Sequence, residues 1–125
     1  MRVLIADGQK DGGNSLAALV ERCGHEVVLV VGSGLEAIQG YSRLEPDVVL
    51  MDYALPRLNG ATAARMILAK HPAARIVIVT AGATAVPLSE SGVVAILLKP
   101  VELDKLYAAL YDAAPRPPEP PTELF

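Results

Sequence analysis

The sequence has little cysteine, no concentrated positive charge and no long apolar run. Cys23 is the only cysteine among 125 residues, so no disulfide can form within the chain, which suits a reducing cytoplasm. The formal net charge is −3 and lysine and arginine form no block, which argues against direct binding of nucleic acid. No apolar run reaches the roughly 20 residues of a membrane-spanning helix, and no secretory leader precedes the first predicted strand. We therefore expect a cytoplasmic protein without membrane contact.

What the chain does contain is a series of short apolar runs. Hydrophobic residues make up 52% of the sequence, which indicates a folded globule with one core. Short runs rich in β-branched residues are typical of strands buried on both faces. Four of these runs end at a polar side chain: residues 3–6 before Asp7, 48–51 before Asp52, 76–79 before Thr80 and 93–98 before Lys99.

Helical patterns separate the strands. The predicted strands are residues 2–6, 26–31, 48–51, 76–79 and 93–98, and the predicted helices are residues 11–23, 33–44, 59–72 and 103–111. Ser33 and Glu36 form a capping-box pattern, and Asn59 is placed to cap the third helix. Gly24 is placed to end the first helix, and Gly12-Gly13 makes the start of that helix weak. The apolar face of the last helix is predicted to comprise Leu103, Leu106, Tyr107, Leu110 and Tyr111. Residues 83–91 contain Pro87 and few large apolar side chains, so we expect only a short or broken helix between strands 4 and 5. This (βα)₅ alternation predicts an α/β fold with a parallel sheet.

The last eleven residues differ from the rest in composition. Five prolines lie between positions 115 and 121, where they can build neither a helix nor a strand ladder. We expect one folded domain over residues 1–114 and a proline-rich disordered tail or linker stub over residues 115–125. A docking peptide ending in Leu124 and Phe125 remains an alternative.

The polar residues at the strand ends are candidates for one site. In an open parallel sheet, ligands bind just outside the carboxyl ends of the strands, so two carboxylates, a hydroxyl and an ammonium should converge. An aspartate can accept a phosphoryl group as an acyl phosphate, and this transfer needs charge neutralisation and positioning. Asp7 and Asp52 can hold Mg²⁺, while Lys99 and Thr80 offer a charge and a hydroxyl to phosphate oxygens.

These features resemble the receiver domains of two-component response regulators. The resemblance extends from Arg2 to about Ala114, and it implies a flavodoxin-like, doubly wound sheet of five parallel strands in the order 2-1-3-4-5. The matching pieces are Val3-Leu4-Ile5-Ala6-Asp7, Asp47-Val48-Val49-Leu50-Met51-Asp52, Leu55-Pro56 with Asn59-Gly60, Ile78-Val79-Thr80-Ala81, and Lys99-Pro100.

The resemblance implies a phosphoacceptor and a magnesium site. Asp52 matches the phosphoacceptor, which a histidine kinase or a histidine phosphotransfer protein would charge. Asp7, Asp52 and the backbone carbonyl of Ala54 match the magnesium ligands. The chain would not be an enzyme beyond its own phosphorylation and dephosphorylation, and it would switch the binding of an unknown downstream protein.

The resemblance also implies a set of switch residues. Thr80, followed by Ala81, matches the hydroxyl residue that turns toward the phosphoryl group. Lys99 matches the lysine that contacts this group. Pro100 matches a proline whose preceding peptide bond is usually cis, which would direct Lys99 into the site.

Three features depart from the family pattern. Gly8 stands where the family usually has a second acidic residue that touches the metal, so magnesium binding should be weakened. Ile96 stands where an aromatic side chain usually relays the signal. The segment from Thr80 to Lys99 is about one helical turn shorter than usual, which agrees with the weak helix predicted there.

Two other functions remain open at this point. A phosphorylation-independent pseudo-receiver would keep the fold and act as a protein-interaction module, and Gly8 and Ile96 favour it. A small dinucleotide-binding fold is a more remote alternative, because Gly32, Gly34 and Ala37 match the pattern G-x-G-x-x-A after a strand. The dinucleotide interpretation leaves Asp7, Thr80 and Lys99 without a role.

Overall fold

The computed structural model describes residues 1–82 and 93–114, and these form a parallel sheet with helices on both faces. The strands in this part of the chain are Arg2–Ala6 (β1), Glu26–Val31 (β2), Val48–Asp52 (β3), Ile76–Thr80 (β4) and Ala95–Leu98 (β5). The helices are Lys10–Arg22 (α1), Gly34–Leu44 (α2), Gly60–Lys70 (α3) and Leu103–Ala113 (α4). The strand order β2-β1-β3-β4-β5 and the parallel pairing confirm the predicted fold. The predicted short helix at 83–91 and the tail at 115–125 lie outside the described residues.

The central strands are buried on both faces because alternate side chains enter two separate cores. On one face, Leu4 and Met51 pack with α2 and α3. On the other face, Ile5 and Leu50 pack with α1 and α4. This arrangement explains why the strands have continuous apolar runs rather than alternating apolar and polar residues. Within the described residues, no helix is long and apolar enough to cross a membrane.

The helix starts that were predicted from capping residues are present. The Asn59 side chain accepts a hydrogen bond of 2.9 Å from the amide of Thr62. The Ser33 hydroxyl accepts one of 3.1 Å from the amide of Glu36. The Glu36 carboxylate reaches back to the amide of Gly32 at 3.1 Å, one residue before the position expected in a capping box.

The glycine pattern of the dinucleotide alternative has a packing role in this fold. A Cβ atom on Gly34 would lie 3.0 Å from the carbonyl oxygen of Leu58 and 3.2 Å from the Cβ of Ala63. Gly34 therefore allows α2 to approach the loop before α3 and α3 itself. Ala37 is fully buried in the same core.

Two local predictions are wrong. Strand β5 begins at Ala95 rather than at Val93, because the pairing with β4 starts where Ala95 lies opposite Val77. Val93 is buried in the core all the same. On α4, the apolar face was expected to include Tyr107 and Tyr111, but these side chains are 57% and 68% exposed. Smaller residues form the buried face with the leucines: Leu106, Ala109, Leu110 and Ala113.

Candidate functional site

The polar residues that end the strands meet at the carboxyl edge of the sheet. Asp7 directly follows β1, Asp52 ends β3 and Thr80 ends β4. In the sheet, β2 lies at the edge on one side of β1, and β3 lies on the other side. The order in which successive strands are added therefore reverses between β1 and β3. Such switch points form crevices at the strand ends. Asp7, Asp52 and Thr80 are only 4%, 6% and 4% exposed.

The ammonium group of Lys99 links the two carboxylates. Its Nζ atom lies 3.1 Å from Oδ2 of Asp52 and 3.3 Å from Oδ2 of Asp7. The Lys99 side chain is 31% exposed, whereas both carboxylates are nearly buried. One positive charge therefore balances two nearly buried negative charges.

Backbone amides hold the other carboxylate oxygens. The amide of Gln9 donates to Oδ1 of Asp7 at 2.8 Å, and the amide of Ala54 donates to Oδ1 of Asp52 at 3.1 Å. Each amide lies two residues after the aspartate whose carboxylate it binds. The loop that follows each strand therefore orients the carboxylate at the end of that strand. The Oδ2 atoms of both aspartates are thus turned toward Lys99.

The environment of Lys99 changes its pKa. Burial acts to lower the pKa of the ammonium group, but the hydrogen bond and negative charge of Asp52, assisted by those of Asp7, outweigh it. The pKa of Lys99 is consequently raised above its ordinary value of 10.5. Lys99 is therefore a permanent cation at neutral pH.

Lys99 is fixed by its backbone as well as by its charge. Its amide donates a hydrogen bond of 2.8 Å to the carbonyl of Thr80, which continues the pairing of β4 and β5. The peptide bond between Lys99 and Pro100 is cis, as the resemblance implied. Ile96, at the position that usually carries an aromatic side chain, is partly buried against the core that contains α2 and α3.

The hydroxyl of Thr80 is engaged by the loop that follows it. It donates to the carbonyl of Gly82 at 3.3 Å and accepts from the amide of Gly82 at 3.4 Å. Thr80 thus lies at the same edge as the carboxylates, with its hydroxyl bonded to Gly82. Ala81 and Gly82 are both exposed.

The loop after β3 owes its path to a glycine. A Cβ atom on Gly60 would overlap the carbonyl oxygen of Asp52. The amide of Gly60 donates to the carbonyl of Tyr53 at 2.8 Å, and the neighbouring Asn59 caps α3. The pair Asn59-Gly60 therefore folds the loop back onto the end of β3 and helps to place Ala54 beside Asp52.

The oxygen ligands at this site fit a magnesium ion, although only two carboxylates, those of Asp7 and Asp52, are present. Mg²⁺ is commonly bound by one or two carboxylates together with water and phosphate oxygens. Asp7 and Asp52 already face one cation, the Lys99 ammonium. A Cβ atom on Gly8 would lie 3.2 Å from the carbonyl oxygen of Ala54, so an acidic side chain at position 8 would be directed near that carbonyl. Among the described residues, no group of three or more histidine, cysteine or acidic side chains could hold a metal.

Sequence reasoning placed the four polar side chains at one edge but missed the groups that orient them. The amides of Gln9 and Ala54 carry no side-chain signal and became visible only with the loop geometry. Gly12 was also missed, although its Cβ position lies against the carboxylate of Asp7. Its signal was present, because a glycine inside a helix is unfavourable and calls for a reason.

The chain belongs to the response regulator receiver domain family, whose family model matches residues 3–111. It is thus a receiver domain of the kind found in two-component signalling, where such domains usually bind Mg²⁺ and interact with histidine kinases, phosphotransfer proteins and effectors.

Curated relatives and solved structures agree with this assignment. The chain is 29% identical to the chemotaxis protein CheY of Listeria monocytogenes over 117 residues, covering 91% of this chain and 98% of the relative. It is 30% identical to CheY of Thermotoga maritima over 112 residues, covering 87% and 93% of the two chains. A receiver domain structure from Clostridium thermocellum superposes with a TM-score of 0.83 at 26% identity, over 90% of this chain and 92% of the other.

Proposed function

We propose that this receiver domain accepts a phosphoryl group on Asp52 from a histidine kinase or a histidine phosphotransfer protein. The observation that carries the proposal is the position of Lys99, whose ammonium contacts both carboxylates at the strand ends. In the reaction, a carboxylate oxygen of Asp52 forms a bond to phosphorus. The bond between phosphorus and the donor nitrogen breaks, and its electron pair stays on the donor imidazole.

The residues of the site would each have a separate task. The amide of Ala54 holds one oxygen of Asp52 and so leaves the other directed toward the incoming group. Lys99 neutralises charge that develops on the phosphoryl oxygens. A Mg²⁺ ion held by Asp7, Asp52 and the carbonyl of Ala54 would supply further charge neutralisation. The domain is not an enzyme toward other substrates, and its chemistry is its own phosphorylation and dephosphorylation.

The output of the domain would be a shift between two conformations. After phosphorylation, the Thr80 hydroxyl leaves Gly82 and binds a phosphoryl oxygen, and the loop residues Ala81 and Gly82 move with it. Ile96 cannot supply an aromatic rotamer change, so the signal would pass through this loop. The binding of a downstream protein would change as a result.

The proposal is tested by incubating the protein with a small phosphodonor and magnesium and measuring its intact mass. A phosphoryl adduct that forms with magnesium, and does not form when magnesium is chelated before the donor is added, supports the proposed function. A folded protein that gains no adduct, even at high magnesium, contradicts it. That result would favour the second candidate, a pseudo-receiver that binds partners without phosphorylation, for which the missing carboxylate at Gly8 is the specific observation.

Gly8→Asp is expected to strengthen magnesium binding. The new carboxylate would extend near the carbonyl of Ala54, and the backbone at position 8 needs no unusual dihedral angle, although a contact of 3.2 Å requires a small adjustment. We expect about tenfold tighter binding, equivalent to about 1.4 kcal/mol. A magnesium titration measures the effect, and Gly8→Asn is the uncharged control. If the wild type and Gly8→Asp bind magnesium with equal affinity, a carboxylate at position 8 does not contribute to the metal site.

Small residues beside the site should leave the phosphorylated state open to water. Ala54 is exposed next to Asp52, and Gly82 is exposed beyond Thr80. Ala54→Met or Gly82→Glu is expected to shield the acyl phosphate and lengthen its lifetime about tenfold, which corresponds to about 1.4 kcal/mol on the hydrolysis barrier. The decay of the phosphorylated species measures this lifetime. Ala69→Met, on the exposed side of α3, is the control and should leave the lifetime of the phosphorylated protein unchanged. If Ala54→Met and Gly82→Glu both have the lifetime of the wild type, the prediction is refuted.

A further inference from the structure

Gly12 lies in α1 directly against the carboxylate of Asp7. A Cβ atom built on Gly12 would lie 2.9 Å from Oδ2, 3.1 Å from Oδ1 and 3.2 Å from Cγ of Asp7. Each of these distances is shorter than an ordinary contact between carbon and oxygen or carbon and carbon. Any side chain at position 12 therefore requires the carboxylate to move.

The Asp7 carboxylate is not free to move without losing its partners. Its Oδ1 accepts the amide hydrogen bond of Gln9 at 2.8 Å, and its Oδ2 contacts Lys99 at 3.3 Å. Asp7 is only 4% exposed, so water cannot readily replace either contact. The carboxylate turns as a rigid plane, and a rotation away from position 12 disturbs both oxygens together.

The neighbouring glycine has a different surrounding. A Cβ atom on Gly13 would lie 3.0 Å from Cγ1 of Val30 and 3.5 Å from Cβ of Asp7. Gly13 thus allows α1 to pack against β2, and the carboxylate is not among the atoms that its Cβ would meet. The two glycines are adjacent in sequence, but only Gly12 borders the charged group.

The space that Gly12 leaves is continuous with an apolar cavity. A cavity of about 270 Å³ lies between α1 and the segment after β5, and its lining includes Gly12, Asp7, Lys99 and Leu16. Asp7 and Lys99 are thus among the residues that line this cavity together with Gly12. A side chain at position 12 would enter the space next to the ion pair.

We propose that Gly12 is a positioning residue that keeps the Asp7 carboxylate in the orientation in which it binds cations. The proposal rests on the proposed function, in which Asp7 holds a divalent cation during phosphorylation. Glycine inside a helix is less favourable than alanine. Glycine at position 12 therefore makes α1 less stable, but it leaves room for the carboxylate of Asp7. Gly12→Ala should thus weaken cation binding without unfolding the domain.

The experiment compares the affinity for Mn²⁺, followed by electron paramagnetic resonance, in three variants and the wild type. Gly12→Ala is expected to lower the affinity about tenfold, as is typical when a group that orients a metal ligand is changed. Asn14→Ala, on the exposed side of α1, controls for helix propensity and should bind as the wild type does. Gly13→Ala should lower the thermal stability through Val30 and leave the affinity unchanged.

A crystal structure of Gly12→Ala provides a readout that does not depend on metal binding. The expected structure has a longer distance between the Asp7 carboxylate and Lys99 Nζ. An unchanged distance, an unchanged Mn²⁺ affinity, or an equal loss of affinity in Gly13→Ala would each overturn the proposal. All these measurements use the unphosphorylated protein. Failure of the wild type to accept a phosphoryl group would therefore contradict the proposed function. The Mn²⁺ affinities and the distance between Asp7 and Lys99 would still test the role of Gly12.

Discussion

Asp52→Asn is expected to abolish phosphorylation by a small phosphodonor. The substitution keeps the size of the side chain and can keep the hydrogen bond from the amide of Ala54, but it removes the anionic oxygen that attacks phosphorus. Asp7 lies at the same edge of the sheet, but its proposed role is to hold magnesium rather than to attack phosphorus, so we expect no adduct on it. The measurement is the fraction of phosphorylated protein in wild type and variant under identical conditions.

Two further carboxylates make the comparison specific. Asp11→Asn removes an exposed charge from the first turn of α1 and should leave phosphorylation unchanged. Asp7→Asn keeps the nucleophile but removes a proposed metal ligand, so it should slow the reaction and raise the magnesium concentration that is required. A normal adduct in Asp52→Asn would show that the phosphoryl group goes elsewhere.

Lys99→Met is expected to destabilise the unphosphorylated domain and to make it more responsive to magnesium. Without the ammonium, the nearly buried carboxylates of Asp7 and Asp52 face each other without a cation. Removing one partner of a fully buried ion pair is strongly destabilising, but Lys99 is 31% exposed and solvent screens part of the effect. We therefore expect a loss of about 1–3 kcal/mol in the free energy of unfolding.

Magnesium and pH separate this explanation from a general loss of packing. Mg²⁺ can replace the missing positive charge, so it should raise the melting temperature of Lys99→Met more than that of the wild type. The raised pKa of Lys99 means that its stabilising contribution is complete below its ordinary value of 10.5 and is lost as the pH rises above it. The difference in stability between wild type and variant should consequently shrink at strongly alkaline pH.

Lys105→Met is the matched control for this prediction. Lys105 pairs with Glu102 at 3.6 Å, but both side chains are well exposed, and such pairs contribute little to stability. Thermal unfolding with and without magnesium should therefore be the same for Lys105→Met and the wild type. A Lys99→Met variant as stable as the wild type, with no added response to magnesium, would refute the proposed charge balance.

The sequence predicted the sheet and its polar edge because both depend on simple periodicity. Apolar runs that end in Asp7, Asp52 and Thr80 identify strands, and parallel connections bring their ends to one edge. The capping residue Asn59 and the glycine at position 24, which has a positive φ of 87°, marked helix ends for equally local reasons. These features follow from residue type and spacing alone.

Other features depend on contacts between distant parts of the chain. The start of β5 at Ala95 is set by its register with β4, which periodicity does not encode. The exposure of Tyr107 and Tyr111 depends on where α4 lies on the sheet, since small alanines rather than tyrosines fit against the strands. The glycines of α1 were interpreted as a weak helix start, although α1 begins before them at Lys10.

The most direct test of the central claim is to locate the phosphoryl group. Borohydride reduces an aspartyl phosphate to homoserine, so reduction of the phosphodonor-treated protein followed by peptide mass spectrometry identifies the modified residue. Our account predicts homoserine at position 52, and only when both phosphodonor and magnesium are present. Homoserine at position 7 instead, or unmodified aspartate at both positions in a folded protein, would contradict it.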